Sequence, residues 1–251
     1  PRSYSFDMIG TMGRCIADSV LIANVMSGPD PKDRASMRPD LPVFKSRPKI
    51  ADSPPSLILF EEFLNIASKE VADRISNTAD KLATAGADVR RASLPFSIEL
   101  LMALHTIILI SEASATQLNL IKQFRDFYSP GLLSQLDIGS VIPAKAYLQA
   151  QRLRRRVRAE FDKLIGNVDG FLIPSTSELA PDLGSIGPRF CQTPWTILGW
   201  PCFNIPAGLS KEGLPIGLQL IGGPYLEDKL CDIATWIESQ LDPITAPPDT
   251  T

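Results

Sequence analysis

Apolar residues recur along the chain at two spacings, and the places where one gives way to the other divide it into elements. Met12, Ile16, Val20, Ala23 and Met26 fall three or four apart. This predicts a helix over 12–27, with Arg14 and Asp18 as an i,i+4 pair and Gly28 as a left-handed cap. "SLILF" at 56–60 predicts a short buried strand, and Val71, Ile75, Ala79 and Leu82 stripe a helix that ends at Gly86. "ADVRRASLP" predicts a second strand. Strand, helix, glycine and strand make a β-α-β unit, which favours a parallel pair within an α/β sheet. Residues 97–128 are predicted to be mainly helical, and 144–165 carries an inward stripe of Leu153, Val157, Phe161 and Leu164. "VDGFLIPSTSELAP" (168–181) is a strand running into a proline-punctuated loop. "RFCQTPWTILGWP" predicts a short helix with Thr193 as N-cap and Pro194 as its first residue. "CFNIPAG" is a strand and turn, "GLPIGLQLIGG" a further strand, and 226–241 a closing helix. In that further strand, period two sets Ile216, Leu218 and Leu220 on one face and Gly217, Gln219 and Ile221 on the other. The succession predicts an α/β chain whose sheet is covered by helices.

At 251 residues the chain is one large domain or two small ones, without an internal repeat. A hydrophobic content of 44% and a charged content of 21% are ordinary for a globular protein. The net charge of −3 argues against nucleic acid or an anionic membrane as the main partner. The longest apolar stretch, around "LLMALHTIILI", reads as too short and too interrupted by His105 to span a bilayer. No segment has the form of a signal or transit peptide. The chain opens at Pro1, so it is expected to begin inside a longer product. Cys15, Cys191, Cys202 and Cys231 are far apart with no C-x-x-C pair. They read as small core residues of a reduced, cytoplasmic protein, not a disulfide frame or zinc site. A single histidine also argues against a metal site, and no metal or cofactor is expected. The prolines cluster at 29–55, 174–206 and 243–248 and mark loops, of which 29–55 reads as a surface connection.

Any Ser-His-Asp or Cys-His mechanism within these residues must use His105. It sits between Leu104 and Thr106 in an apolar helix, and nothing pairs it with a nucleophile, so a core or boundary histidine is the favoured reading. The arginines of "RLRRRVR" (152–158) interleave with the stripe of one helix and read as a solvated face. "EDKLCDIATWIESQL" reads as an ordinary core-packing helix. Neither G-x-G-x-x-G nor G-x-x-x-x-G-K-[ST] occurs. "LIPSTSELAP" sets Ser175, Thr176 and Ser177 at the carboxyl end of a strand, where open α/β sheets build their sites. A proline-rich turn with capping hydroxyls accounts for the same residues, and both readings stand.

Three stretches, in order, resemble the amidase signature family of serine amide hydrolases. "SFDMIGTMGRCIADSVLIANVMSGPDPKD" (5–33) matches at Asp7, Gly10, Arg14, Asp18, Gly28, Asp30 and Asp33. "VDGFLIPSTSELAP" is similar to the family's strand and loop before the last sheet strands. "LGWPCFNIPAGLSKEGLPIGLQLIGGPYLEDKLCDIATWIE" (198–238) resembles the closing pattern of Gly-x-Pro, Pro-Ala-Gly and Gly-Leu-Pro-x-Gly-x-Gln. The resemblance implies an α/β fold with a large mixed, twisted sheet covered by helices. It also implies a Ser–cis-Ser–Lys mechanism in which a lysine, through one serine, deprotonates a second that attacks the amide carbonyl. Backbone N–H groups of a glycine-rich loop hold the oxyanion, and water cleaves the acyl-enzyme.

In that family the lysine, both serines and the Gly-Ser-Ser-Gly-Gly-Ser loop precede the segment similar to residues 5–33. No G-S-S or G-G-S string occurs here, so no catalytic residue is assigned. The resemblance thus implies the carboxyl-terminal part of one amidase domain. Residues 1–28 would follow the nucleophile region, 29–55 connect, 56–165 form a helical and β-α-β covering region, 166–241 hold the final strands and closing helix, and 242–251 make a tail. Ser175, Thr176, Trp195 and Gln219 are the candidate substrate contacts. A companion chain carrying the amino-terminal half and a small-molecule amide are the expected partners, with no nucleic acid and no membrane; a homo-oligomer stays open. Beside the enzyme stand a non-catalytic, amidase-like scaffold and an amidotransferase subunit.

Overall fold

The computed structural model describes residues 2–33, 36 and 44–243; part of the predicted connection and most of the predicted tail lie outside the described residues. The elements follow as α1 (Ile16–Met26), β1 (Ser56–Phe60), α2 (Glu61–Asn65), α3 (Lys69–Thr84) and β2 (Asp88–Ala92). Then come α4 (Ile98–Phe124), α5 (Pro130–Ser140), α6 (Ala144–Ile165), β3 (Gly170–Pro174) and α7 (Thr193–Leu198). The chain closes with β4 (Cys202–Leu209), β5 (Pro215–Ile221) and α8 (Glu227–Gln240). They fall into two compact units. One holds residues to 9, 95–164 and 192–199; the other holds 10–94, 165–191 and 200 onward.

The second unit is built on a five-stranded mixed sheet in the order β2-β1-β3-β5-β4. β1 runs parallel to β2 and β3, as the β-α-β pattern requires, and β5 is antiparallel to both β3 and β4. Ser68 caps α3 by accepting the Val71 N–H (3.4 Å), which releases the predicted stripe of Val71, Ile75, Ala79 and Leu82 to the core. That stripe packs with Ile16 and Val20 of α1 and Leu230, Ala234 and Ile237 of α8 on one sheet face. The strands present Leu57, Leu59, Leu172, Leu218 and Leu220 to it. The register puts Ile58, Phe171, Ile173, Gln219 and Ile221 on the opposite face, all buried. There Phe171 meets Phe60 edge-on (5.0 Å) and stacks with Trp200 (6.0 Å).

Two boundaries differ from expectation. α1 starts at Ile16, four residues late: Cys15 precedes it in extended backbone with no side-chain cap, and Met12 is 94% exposed. Arg14 therefore lies before the helix, and its i,i+4 pairing with Asp18 does not form. The closing bond of α1 comes from the Ser27 N–H to the Ala23 carbonyl (2.9 Å), so Gly28 is not the cap. α7 begins at Thr193, with Gln192 in the capping position and Pro194 inside the first turn.

In the first unit, Ser97 caps α4 at the Leu100 N–H (3.3 Å), and Ile98, Leu101, Leu104 and Ile108 form its buried stripe. The apolar stretch judged too short for a bilayer belongs to this 27-residue helix, which is long and apolar enough to cross one. It also carries a buried stripe and the Glu112 carboxylate, which bonds within the first unit. α5 was not expected from the sequence. Ser129 caps it, Pro130 opens it, and Gly139 brings its backbone against the Ile110 carbonyl, where a side chain would collide. α6 buries Ala150, Val157 and Phe161, while Leu153 and Leu164 are only half-buried.

Candidate functional site

β3 does not stop abruptly at Pro174. The Ser175 N–H donates to the Gly217 carbonyl (2.8 Å), which carries the ladder one residue into the loop. At period two this puts Ser175 on the Ile173 and Gln219 face, beside Gly217. The hydroxyl then crosses β5 and donates to Asn204 Oδ1 on β4 (2.9 Å). Gly217 makes the crossing possible, because a Cβ there would stand 2.5 Å from Ser175 Oγ and 3.0 Å from Ser175 Cβ. Farther along, Thr176 Oγ1 donates to the Glu178 carbonyl (2.7 Å), and the Ser177 carbonyl takes the Ser68 N–H at the start of α3 (2.8 Å). The loop is thus fixed at three successive residues.

These residues line a cavity of about 360 Å³ beyond the carboxyl end of β3, within the size range of small-molecule sites. Ser175, Thr176 and Asn204 supply its polar atoms together with Glu178, the one charged side chain on the described lining. Pro181, Pro188, Pro206 and Pro215 make much of the remaining wall. Gln219 lies one row deeper on the same face, 4% exposed, outside this lining. Its amide hydrogen-bonds the Cys202 sulfur, and its Oε1 is buried with no partner among the described residues. Solvent reaches Cys202 at the sheet edge, yet the surrounding protein pushes its thiol up to about 12 against the pull of Gln219, so it is no ready nucleophile.

Of the four residues singled out from sequence, Ser175 and Thr176 share the cavity and Gln219 supports the strand beneath it. Trp195 belongs to the other unit, 1% exposed and edge-on to Phe161 (5.6 Å). Asn204 was missed. Its signal was the lone amide in "CFNIPAG", which pairs in register with Gln219. No cluster of three or more metal-ligating side chains occurs among the described residues.

The first unit holds a polar cluster of its own. The Glu112 carboxylate accepts from the hydroxyls of Ser3 and Ser5 (both 2.6 Å), the Ser5 N–H (3.0 Å) and the Tyr147 hydroxyl (2.9 Å). Burial works to raise its pKa, but these donors outweigh burial and hold the carboxyl below its ordinary value. Arg154, expected on a solvated face, turns inward. It lies 4.9 Å from the Phe6 ring centre and donates to the carbonyls of Ile197 (2.6 Å) and Ser5 (3.3 Å). Phe6 also stacks on His105 (4.9 Å, 14°), so the histidine is a half-buried boundary residue.

A family model described as Amidase matches residues 1–231. A fatty acid amide hydrolase of Medicago truncatula is 28% identical over 256 residues, spanning 94% of this chain and 42% of that protein. A glutamyl-tRNA(Gln) amidotransferase subunit of Halothermothrix orenii is 27% identical over 276 residues, spanning 97% of this chain and 58% of that protein. Among solved structures, the corresponding glutamyl-tRNA(Gln) amidotransferase subunit of Thermotoga maritima superposes with a TM-score of 0.79 at 23% identity, over 95% of this chain and 54% of that one. The chain spans about half the length of the relatives it matches. The match over residues 1–231 establishes that this chain belongs to the amidase signature family.

Proposed function

We propose that residues 1–251 are the substrate-wall portion of an amidase that hydrolyses a carboxylic amide C–N bond. The observation that carries this reading is the family match over residues 1–231. The acyl-enzyme route is the Ser–cis-Ser–Lys one, with nucleophile, relay serine and lysine supplied by sequence outside these residues. Support comes from the family match and from a histidine stacked on Phe6. In this reading the Ser175–Asn204 wall contacts the amide substrate together with Thr176, while Gln219 supports the strand beneath that wall. This chain by itself is inactive.

A companion chain bearing the amino-terminal half would complete the sheet. β4 ends the sheet among the described residues, with Cys202, Asn204 and Pro206 exposed on it. α1 is apolar on every side yet leaves Leu21, Val25 and Met26 exposed, as expected of a helix with a second neighbour. The four thiols are unbonded, which fits a cytoplasmic protein.

The test is a serine-directed fluorophosphonate applied to the intact protein with any companion chain, followed by separation. Label outside residues 1–251 supports the reading, and label on this chain overturns it. The relatives named as glutamyl-tRNA(Gln) amidotransferase subunits favour a second reading, a glutamine-hydrolysing component of a larger assembly. It predicts that turnover depends on additional subunits and ATP. A scaffold without activity would leave no labelled serine on either chain.

A further inference from the structure

Resting on the amidase reading, we infer that the cavity beside Ser175 takes an uncharged arm of the amide substrate, reads an acceptor on it through Asn204 Nδ2, and turns away carboxylates. The wall's hydrogen bonds show why. A carboxylate is acceptor-only and needs several donors, with a countercharge, to leave water. Both hydroxyl protons on this wall are already committed, Ser175 Oγ–H to Asn204 Oδ1 (2.9 Å) and Thr176 Oγ1–H to the Glu178 carbonyl (2.7 Å). The Ser175 N–H is spent on the Gly217 carbonyl (2.8 Å). Four lining residues are prolines, which have no N–H to offer. Among the side-chain donors Asn204 remains: accepting from Ser175 at Oδ1 fixes its amide plane and directs Nδ2 away, and Nδ2 makes no hydrogen bond among the described residues.

The charge balance points the same way. Glu178 is the sole charged side chain on the described lining, and no lysine or arginine stands there to receive an anion. Leu179, Ile205 and Ile216 complete an apolar surface. One fixed side-chain donor on an apolar wall whose only charged side chain among the described lining is Glu178 matches a neutral chain ending in a carbonyl or carboxamide.

Four amides of equal length test this on the complete protein: hexanamide, adipamide, 6-aminohexanamide and adipic acid monoamide. Dissociation constants come from ligand-observed NMR titration, with turnover followed in parallel. Adipamide should bind tightest, and the monoanion about tenfold more weakly than hexanamide. Asn204→Leu should remove the advantage of adipamide over hexanamide. Glu178→Lys, on the exposed loop, should strengthen monoanion binding severalfold relative to hexanamide. Monoanion binding equal to hexanamide binding, or an adipamide advantage that survives Asn204→Leu, overturns the inference. If the binding order holds but no amide is turned over, the amidase reading falls and the inference stands.

Discussion

Gly217→Ala puts the geometry of the wall to a direct test. A methyl at residue 217 would arrive 2.5 Å from Ser175 Oγ and 3.0 Å from its Cβ, closer than ordinary packing tolerates. Ser175 must swing aside, which breaks its bond to Asn204. Overpacking of this kind costs about 1–3 kcal/mol. The broken hydrogen bond adds about 1 kcal/mol at most, less here because the half-exposed hydroxyl recovers water. Against this, alanine in a strand gains about 0.5–1 kcal/mol over glycine from the unfolded chain. The net is a loss of about 1–2 kcal/mol, or about 2–8 °C in Tm for a chain of this size. Thermal unfolding by circular dichroism would be measured for Gly217→Ala, Ser175→Ala and the double variant. Removing Ser175 Oγ removes the nearest obstacle, so the double variant should lose less than the sum of the singles. Additive losses, or a Gly217→Ala protein as stable as the parent, would show that the glycine is there for some other reason.

Three further perturbations address the first unit. Glu112 titrates below the ordinary glutamate value of 4.5, so as pH falls the unfolded chain takes up the proton first. The stability Glu112 gives is whole above that value and drains away below it, and urea titrations across this range should show an acid limb that Glu112→Gln flattens. At neutral pH the same variant should cost about 1–2 kcal/mol, a range already reduced for partial exposure. Arg154→Lys keeps the charge but loses the planar group that lies near Phe6 and bonds two carbonyls, and should lower the unfolding free energy by about 1 kcal/mol in the same titrations. Trp195→Ala should cost about 3–5 kcal/mol by leaving a void beside Phe161, while Trp195→Phe costs much less; equal losses would argue against packing as its role.

The β1-α3-β2 unit was legible because three independent signals agree there. The continuous run of β1, the stripe of α3 and the glycine after it each have one structural solution. α5 was hidden because it carries no apolar stripe, with only Leu136 and Gly139 buried. In "SPG" the first two are a cap and an opening residue, and Gly139 is a cost accepted so that the backbone can approach α4. The start of α1 was misplaced because periodicity continues to Met12, while Thr11, which could have capped an earlier turn, donates its hydroxyl to the Ser19 carbonyl (2.9 Å). Arg154 went astray for a related reason. Alternating arginines describe a polar face on average, and only tertiary structure shows that one of them finds Phe6 and two carbonyls.

The candidate site was legible by strand and not by partnership. Period two placed Gly217 and Gln219 on one face, and the register confirms it. What lies across from them depends on the order β3-β5-β4, which no local pattern encodes. Asn204 pairs with Gln219 only because β4 lies beside β5, and Ser175 reaches Asn204 only because the strand between them carries a glycine at that row. The same order leaves β4 on the outside, and its two halves differ. Pro206 and the register shift between Pro206 and Gly208 blunt the later half, as native edges are blunted, whereas Cys202–Ile205 stays regular. On that edge the cavity takes Asn204, Ile205 and Pro206, where the regular half meets the irregular one.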